Sequence, residues 1–306
     1  MNYIGIDTSN YTTSIAFFDG DGGVNCSKLL PVKQGELGLR QSDAVFAHIK
    51  SLPELSGRLF SDVVDNIAAV GVSTRPRAVE GSYMPCFMVG YSHAKILSDA
   101  FRVPLVEVSH QQGHVAASLW SAGQLGLLEE PHLAWHLSGG TTELLLVEPE
   151  GRNVRCTRIG GTTDISAGQL IDRTGQLLNL PFPSGKHLDA LSREATGSDM
   201  FKVKCQDLQF SLSGMQNKVQ QYHEKYGASA QTAAYALRCI AGAVFRTTEQ
   251  ALKLYPGLRV VFSGGVASNS MLREVLSPLN PIFSEPQFAT DNAMGVAVLA
   301  RRLTEE

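Results

Sequence analysis

Short apolar runs separated by small-residue turns recur along the chain in matched sets. Tyr3 to Ile6 is an apolar run that ends at Asp7, and Ser14 to Phe18 is a second, closed by Asp19 and Gly20. The pattern predicts strand, polar turn, strand and glycine turn. Leu133 to Leu137, the small-residue turn Ser138 to Thr142, and Glu143 to Val147 repeat the same grammar. Each hairpin is followed well downstream by an apolar strand that runs into a small-residue turn: Ile67 to Ser73 in the first case, Arg259 to Gly265 in the second. Segments 43–60 and 232–254 precede these strands, with apolar residues three and four apart as an amphipathic helix requires. Any mixed α/β chain yields some look-alikes, but matched turns at both strand ends favour internal duplication. The expectation is two βββαβα-type halves, residues 1–125 and 126–306, joined near residues 121–132. The C-terminal helix has the option of packing back on the first half.

A duplicated fold of this kind encloses a central cleft that both hairpin turns would face. Backbone N–H groups and hydroxyls in such turns suit a phosphate chain. Taken singly, "DTSNYTTS" (7–14) and "SGGTT" (138–142) say little, because small residues are what any tight turn needs. Their equivalent positions give the pair its weight. In "FSGGVASNSMLREVL", Gly264 and Gly265 would let a flat ligand approach the backbone. The same stretch also reads as a helix entry with Ser268 or Asn269 as N-cap. Both readings stand.

Composition narrows the class. At 306 residues the chain is long enough for two ordinary domains and a large core. A net charge of −3 and a pI near 6.2 exclude a strongly basic nucleic-acid footprint over the whole chain, though not a local patch. The five cysteines, Cys26, Cys86, Cys156, Cys205 and Cys239, are scattered and contain no Cys-x-x-Cys pair. That argues against a disulfide framework or a zinc ribbon and for a reducing cytoplasm. The first residues lack a signal-peptide pattern, and no uninterrupted apolar stretch is long enough to span a membrane.

"SHQQGHVAASLW" carries the candidate chemistry. Leu105 to Val108 reads as a short strand, Ser109 as an N-cap, and a helix follows. His110 and His114 are four residues apart and share a helix face. Both imidazoles could reach one metal ion; equally, both could be hydrogen-bonded core groups. Gly113 weakens the helix by about 1 kcal/mol relative to alanine, which makes sense where something packs closely against it. Gln111 stands where the zinc-protease motif has its catalytic glutamate, and an amide cannot serve as general base. A metal here would polarise or orient a ligand rather than activate water for peptide cleavage. Asp291, at the head of an apolar C-terminal helix, is the candidate third ligand; the competing reading is that Thr290 or Asp291 caps that helix.

Together these motifs resemble the universal threonylcarbamoyl-adenosine tRNA synthase family, long called O-sialoglycoprotein endopeptidases. The residues that carry the resemblance are "HQQGH" (110–114), "SGGTT" (138–142), "LIDRTGQLLNLPFPSG" (170–185), "FSLSG" (210–214), "GGVASN" (264–269) and "TDNAMG" (290–295), in family order from end to end. The resemblance implies the duplicated actin-like ATPase fold, with the histidine helix in the N-terminal subdomain and the nucleotide turns in the C-terminal one. It implies that His110, His114 and Asp291 ligate one divalent or ferric ion, iron or zinc, in the interdomain cleft. It implies that His136, Leu137, Ser138, Gly139, Gly140, Asp172, Gly185, Gly265 and Asn269 bind ATP or an acyl-adenylate, with Asp172 on the ribose hydroxyls. The implied reaction moves a threonylcarbamoyl group from an adenylate to the exocyclic amine of the tRNA adenosine next to the anticodon. Partner subunits of a threonylcarbamoylation complex are expected, with tRNA bound weakly by the chain alone and no membrane association. No catalytic side chain is singled out.

Four departures from the family pattern point to a divergent paralogue. The first turn lacks two later acidic positions, a Gly-Pro-Gly-Leu loop is replaced by residues 74–86, Thr141 stands for a histidine, and residues 163–170 carry one acid fewer. Three functions are compatible with the sequence: the threonylcarbamoyl transferase, another ATP-dependent carbamoyltransferase or kinase of the fold, and a non-catalytic partner protein.

Overall fold

A computed structural model describes residues 1–9, 11–31, 39–61, 65–227 and 229–305. Asn10, in the first hairpin turn, lies outside them. The chain divides into two compact units. Unit 1 comprises residues 1–130, 148–156 and 291–306; unit 2 comprises 131–147 and 157–290.

Unit 1 is built on β1 (Asn2–Ser9), β2 (Thr12–Phe18), β3 (Gly23–Leu29), β4 (Ile67–Arg75) and β5 (Leu105–Ser109), in the order β3-β2-β1-β4-β5. β1, β2 and β3 form an antiparallel meander, while β4 and β5 run parallel to β1. β1 and β2 are buried almost throughout, as central strands covered on both faces are; β3, at the edge, is mostly exposed. Helices α1 (Gln41–Leu59), α2 (Phe87–Phe101) and α3 (His110–Ser121) supply the connections and the covering layer. Ile4, Ile6, Ile15, Leu52, Leu55, Val70, Val72 and Ala94 form the core beneath α1 and α2.

The second sheet starts with β6 (His132–Leu137), β7 (Thr142–Glu150) and β8 (Asn153–Thr162) and ends with β10 (Val260–Ser263) and β11 (Ile282–Phe283). Its order is β11-β10-β6-β7-β8, with the short β9 (Gln209–Phe210) added at the far edge. With β6, β7, β8, β10 and β11 matched to β1 through β5, the two sheets have one strand order. The duplication read from the hairpins is therefore present, and each half carries a further strand–helix pair beyond βββαβα. The connecting helices are α4 (Ala167–Leu177), α5 (Gly185–Ser192), α6 (Ser213–Tyr226), α7 (Ser229–Leu254) and α8 (Ser270–Leu276). Trp135, Leu137, Leu144, Leu170, Ile240, Val244 and Phe262 are among the residues of the unit 2 core. "PIFSEPQFA", strand-like in pattern, is a strand at Ile282–Phe283 alone; Pro286 opens a 3₁₀ turn after it.

The C-terminal helix α9 (Met294–Thr304) belongs to unit 1. Small residues let it lie directly on α3. A Cβ on Gly113 would sit 3.1 Å from Val296 Cγ2, and one on Gly295 would collide with the Gly113 carbonyl oxygen and approach the Ala117 nitrogen to 2.6 Å. The close neighbour that a glycine inside the histidine helix called for is α9. Among the described residues no helix is long and apolar enough to cross a membrane.

Candidate functional site

α3 begins where it does because Ser109 and Gln112 close a capping box. The Ser109 hydroxyl accepts from the Gln112 backbone at 3.2 Å, and Gln112 Oε1 accepts from the Ser109 N–H at 2.9 Å. Gln112 Nε2 also donates to the Val154 carbonyl at 2.7 Å, which pins the first turn. His110 therefore starts a rigid helix at the end of a parallel strand, and His114 follows one turn later.

Asp291 meets them. The N-cap of α9 is Ala293, with no side-chain cap, so Asp291 does not cap that helix. Asn292 takes the local role instead, accepting from the Met294 N–H at 3.0 Å. The Asp291 carboxylate points to the histidines: His114 Nε2 lies 3.0 Å from its Oδ1, His110 Nε2 lies 3.7 Å from the same oxygen, and the two Nε2 atoms are 3.0 Å apart. All candidate donor atoms fall within 4.8 Å of one another, and all three residues belong to unit 1. Donors about 2.0–2.1 Å from a common tetrahedral ion stand roughly 3.3 Å apart, so this triangle fits one metal ion with little adjustment.

Asp7 supports the triangle, and the sequence pattern alone assigns it no role. Its Oδ2 lies 2.8 Å from His110 Nδ1, its Oδ1 accepts the Ser9 N–H at 3.0 Å, and it is buried. That bond directs the His110 Nε2 lone pair at the triangle when the imidazole is neutral. Burial opposes a charged His110, but the Asp7 carboxylate, by charge and hydrogen bond, and then Asp291 outweigh it and lift the imidazole to about 9. Burial likewise opposes an ionised Asp7, yet His110 holds it below the usual carboxylate range. The two acids give the pocket an affinity for positive charge. The available signal was Asp7's position: a carboxylate closing the apolar run of a central strand.

The sequence-derived nucleotide residues lie in unit 2. In the β6–β7 turn the Ser138 N–H donates to the Thr141 carbonyl at 2.8 Å and the Thr141 N–H to Ser138 Oγ at 3.0 Å. Gly139 and Gly140 are exposed, with open space where a Cβ would project. Gly168 packs on the Gly139 backbone, and Ser166 Oγ donates to the Gly139 carbonyl at 2.5 Å. Gly264 has φ +91°, and its missing Cβ makes room for the backbone of Leu137. The turns at 137–140 and 264–265 and the start of α4 thus meet. His136, in β6, pairs with Ser263 of β10.

Asp172, on α4, accepts the Ser184 N–H at 2.8 Å just before Gly185 opens α5, and burial raises its carboxyl above the usual range. α5 is tied to α8 by Asp189, which accepts from Ser270 Oγ at 2.8 Å. Asn269 is the N-cap of α8, its Oδ1 accepting from the Leu272 N–H at 3.0 Å. The capping alternative therefore holds for that oxygen.

Two like-ordered sheets, each with its strand-end turns, place the chain among the actin-like ATPase folds. The structure superposes on HypF of T. kodakarensis with a TM-score of 0.63 at 12% identity, over 99% of this chain and 47% of that one. It superposes on (R)-2-hydroxyglutaryl-CoA dehydratase component A of Acidaminococcus fermentans with a TM-score of 0.59 at 15% identity, over the whole of both chains. The chain spans just under half the length of HypF, and at these identities the likeness is one of fold.

The sequence goes further. Residues 38–298 match the profile of the tRNA N6-adenosine threonylcarbamoyltransferases. The protein of that name from Carboxydothermus hydrogenoformans is 34% identical over 244 residues, covering 76% of this chain and 70% of the relative. The chain belongs to this family of transferases.

Proposed function

We propose that the protein transfers a threonylcarbamoyl group from threonylcarbamoyl-adenylate to the exocyclic amine of the tRNA adenosine next to the anticodon, with one bound metal ion. The observation that carries this reading is the convergence of His110, His114 and Asp291, from two distant segments of a family member, on one point. Two imidazoles and a carboxylate suit iron or zinc. When bound, such an ion supplies Lewis-acid polarisation and orientation of an oxygen-bearing ligand.

The chain's own residues have separable tasks. Asp7 holds the His110 ring, while Asp291 and His114 complete the donor set. In unit 2 the exposed backbone at Gly139, Gly140 and Gly265 accommodates the nucleotide. Asp172 accepts the ribose hydroxyls with the oxygen not engaged by Ser184, and Asn269 contributes its amide NH2. In the reaction the adenosine amine attacks the carbamoyl carbon, a C–N bond forms, the bond from carbon to the phosphate oxygen breaks, AMP departs and the amine loses a proton.

The test is incubation of the protein with threonylcarbamoyl-adenylate, unmodified tRNA and the host's partner proteins, followed by mass spectrometry of the digested tRNA. N6-threonylcarbamoyladenosine is the expected product. The substituted Thr141 and the changed 74–86 loop favour one second reading, a carbamoyltransferase or kinase with a small-molecule acceptor. A carbamoylated or phosphorylated small molecule, with no modified adenosine, would establish it instead.

A further inference from the structure

Residues 199–204 and helix α6 form a surface that neither site above uses. Tyr222 of α6 donates its hydroxyl to Asp199 Oδ2 at 2.9 Å, and its ring stacks on Tyr235 of α7 with centroids 4.2 Å apart and planes 11° from parallel. Tyr226 leans on the same ring at 4.7 Å. Phe201 is fixed through its backbone, its N–H donating to Cys239 Sγ at 2.9 Å. Two aromatic rings are thus held in place yet remain 40% (Phe201) and 53% (Tyr226) exposed.

Each ring has the ammonium of a lysine over it. Lys218 Nζ lies 5.6 Å from the Phe201 centroid and Lys225 Nζ 4.8 Å from that of Tyr226. Lys202 and Lys204 are exposed on the adjoining strand of chain. None of the four is in an ion pair among the described residues. The nearby acids are engaged locally, Asp199 by Tyr222 and Glu224 by Gln220 Nε2 at 3.0 Å. The outward positions of α6 add the exposed amides Asn217, Gln220 and Gln221, while its aliphatic residues Met215 and Val219 are buried.

We propose that this surface binds an unpaired loop of RNA, with bases stacking on Phe201 and Tyr226 and phosphates held by the lysines. Half-exposed aromatic rings with exposed lysines close by are what single-strand binding needs, a base displacing the flexible lysine from the ring it covers, and side-chain amides can read unpaired base edges. A lipid surface would call for exposed aliphatic residues, and the outer face of α6 offers amides in their place. The inference deepens the transfer reading, since an enzyme acting on a tRNA loop must hold that loop.

The experiment uses the full chain and a fluorescein-labelled RNA hairpin carrying a single-stranded loop, followed by anisotropy across a salt series. A blunt RNA duplex and phosphatidylserine vesicles are the comparisons. The hairpin should bind more tightly than the duplex, and Tyr226→Ala should weaken it about tenfold. Lys218→Ala/Lys225→Ala should lower the magnitude of the salt slope by about 1.4, the share of two single-strand phosphates. An unchanged thermal midpoint shows that the variants fold. Native affinity and slope in these variants, equal binding of the duplex, or binding of vesicles in place of the hairpin would each overturn the proposal. Transfer assayed on the same variants separates the two readings: hairpin binding without transfer removes the enzyme reading alone, and transfer that ignores these substitutions removes the surface alone.

Discussion

Asp7 Oδ2 lies 2.8 Å from His110 Nδ1 across 103 residues of sequence, near the C-terminal end of a central strand. A buried carboxylate in that position fixes both ring orientation and tautomer. Asp7→Asn keeps the shape but removes the charge that makes the imidazole a better donor. Loss of such a partner lowers metal affinity about 10–100-fold. Competition between the protein and a chromophoric chelator for zinc measures this directly. Equal affinity in the variant and the native protein would remove Asp7 from the site.

Purified native protein should carry about one iron or zinc ion per chain, and His110→Ala should carry far less, since two remaining donors hold an ion poorly. Elemental analysis of both proteins decides it. Equal metal content would show that the triangle is a hydrogen-bonded cluster of the folded chain.

The histidine helix, the hairpins and their duplication were legible because each is a local pattern: an i, i+4 pair, an apolar run with its turn, a repeated grammar. Asp291 was legible as a candidate, but two roles fitted its position. Only the register of α9, which starts at Met294 and leaves Asp291 outside its first turn, removes the capping role and leaves that of candidate ligand. The role of Asp7 is not legible, because nothing within ten residues of it hints at a histidine; the strand order β1-β4-β5 creates that proximity. The return of α9 to the first half was legible as an option, and unit 1 is where it lies. Its small-residue face is legible in the sequence, and its partner is not.

That packing predicts a stability effect independent of any ligand. A methyl on Gly295 meets the α3 backbone at Gly113 and Ala117, which cannot rotate away as a side chain can. Gly295→Ala should destabilise the fold by at least the ~1–3 kcal/mol typical of overpacking, despite alanine's better helix propensity. Chemical denaturation monitored by circular dichroism gives the number. A midpoint at or above the native value would contradict the close approach.

Asp164 predicts a pH effect. It accepts hydrogen bonds from Ser211 Oγ at 2.5 Å, Ser213 Oγ at 2.6 Å and the Leu212 N–H at 2.8 Å. Desolvation opposes its charge, but these donors prevail and hold the carboxyl well below the usual range. A folded pKa below the unfolded one contributes stability that is fully present above the unfolded value, about 3.9, and is lost as pH falls through the folded value. The group is exposed, so the effect is modest. Asp164→Asn should lower stability at neutral pH and flatten its decline on the acid side, read from unfolding midpoints between pH 7 and pH 3. Parallel curves for the two proteins would exclude the linkage.

The division of labour proposed for the two units predicts how the reaction fails. In the proposed function Asp172 is a charged acceptor for the ribose, and a buried hydrogen bond to a charged group is worth ~1.5–3 kcal/mol, so Asp172→Ala should weaken ATP or adenylate binding about tenfold or more by calorimetry. His110→Ala/His114→Ala should do the opposite: transfer is abolished while nucleotide affinity stays near native, because no nucleotide-binding side chain is touched. The chain's net charge of −3 adds a further expectation. Counterion release drives most RNA affinity, and an acidic chain gains little of it outside local basic patches. The protein alone should therefore bind tRNA weakly and transfer slowly, and partner subunits that add basic surface should raise the rate. Rates measured with and without the host's partner proteins, by mass spectrometry of digested tRNA, test this. Full-rate transfer by the isolated chain at physiological salt would show that its own patches suffice.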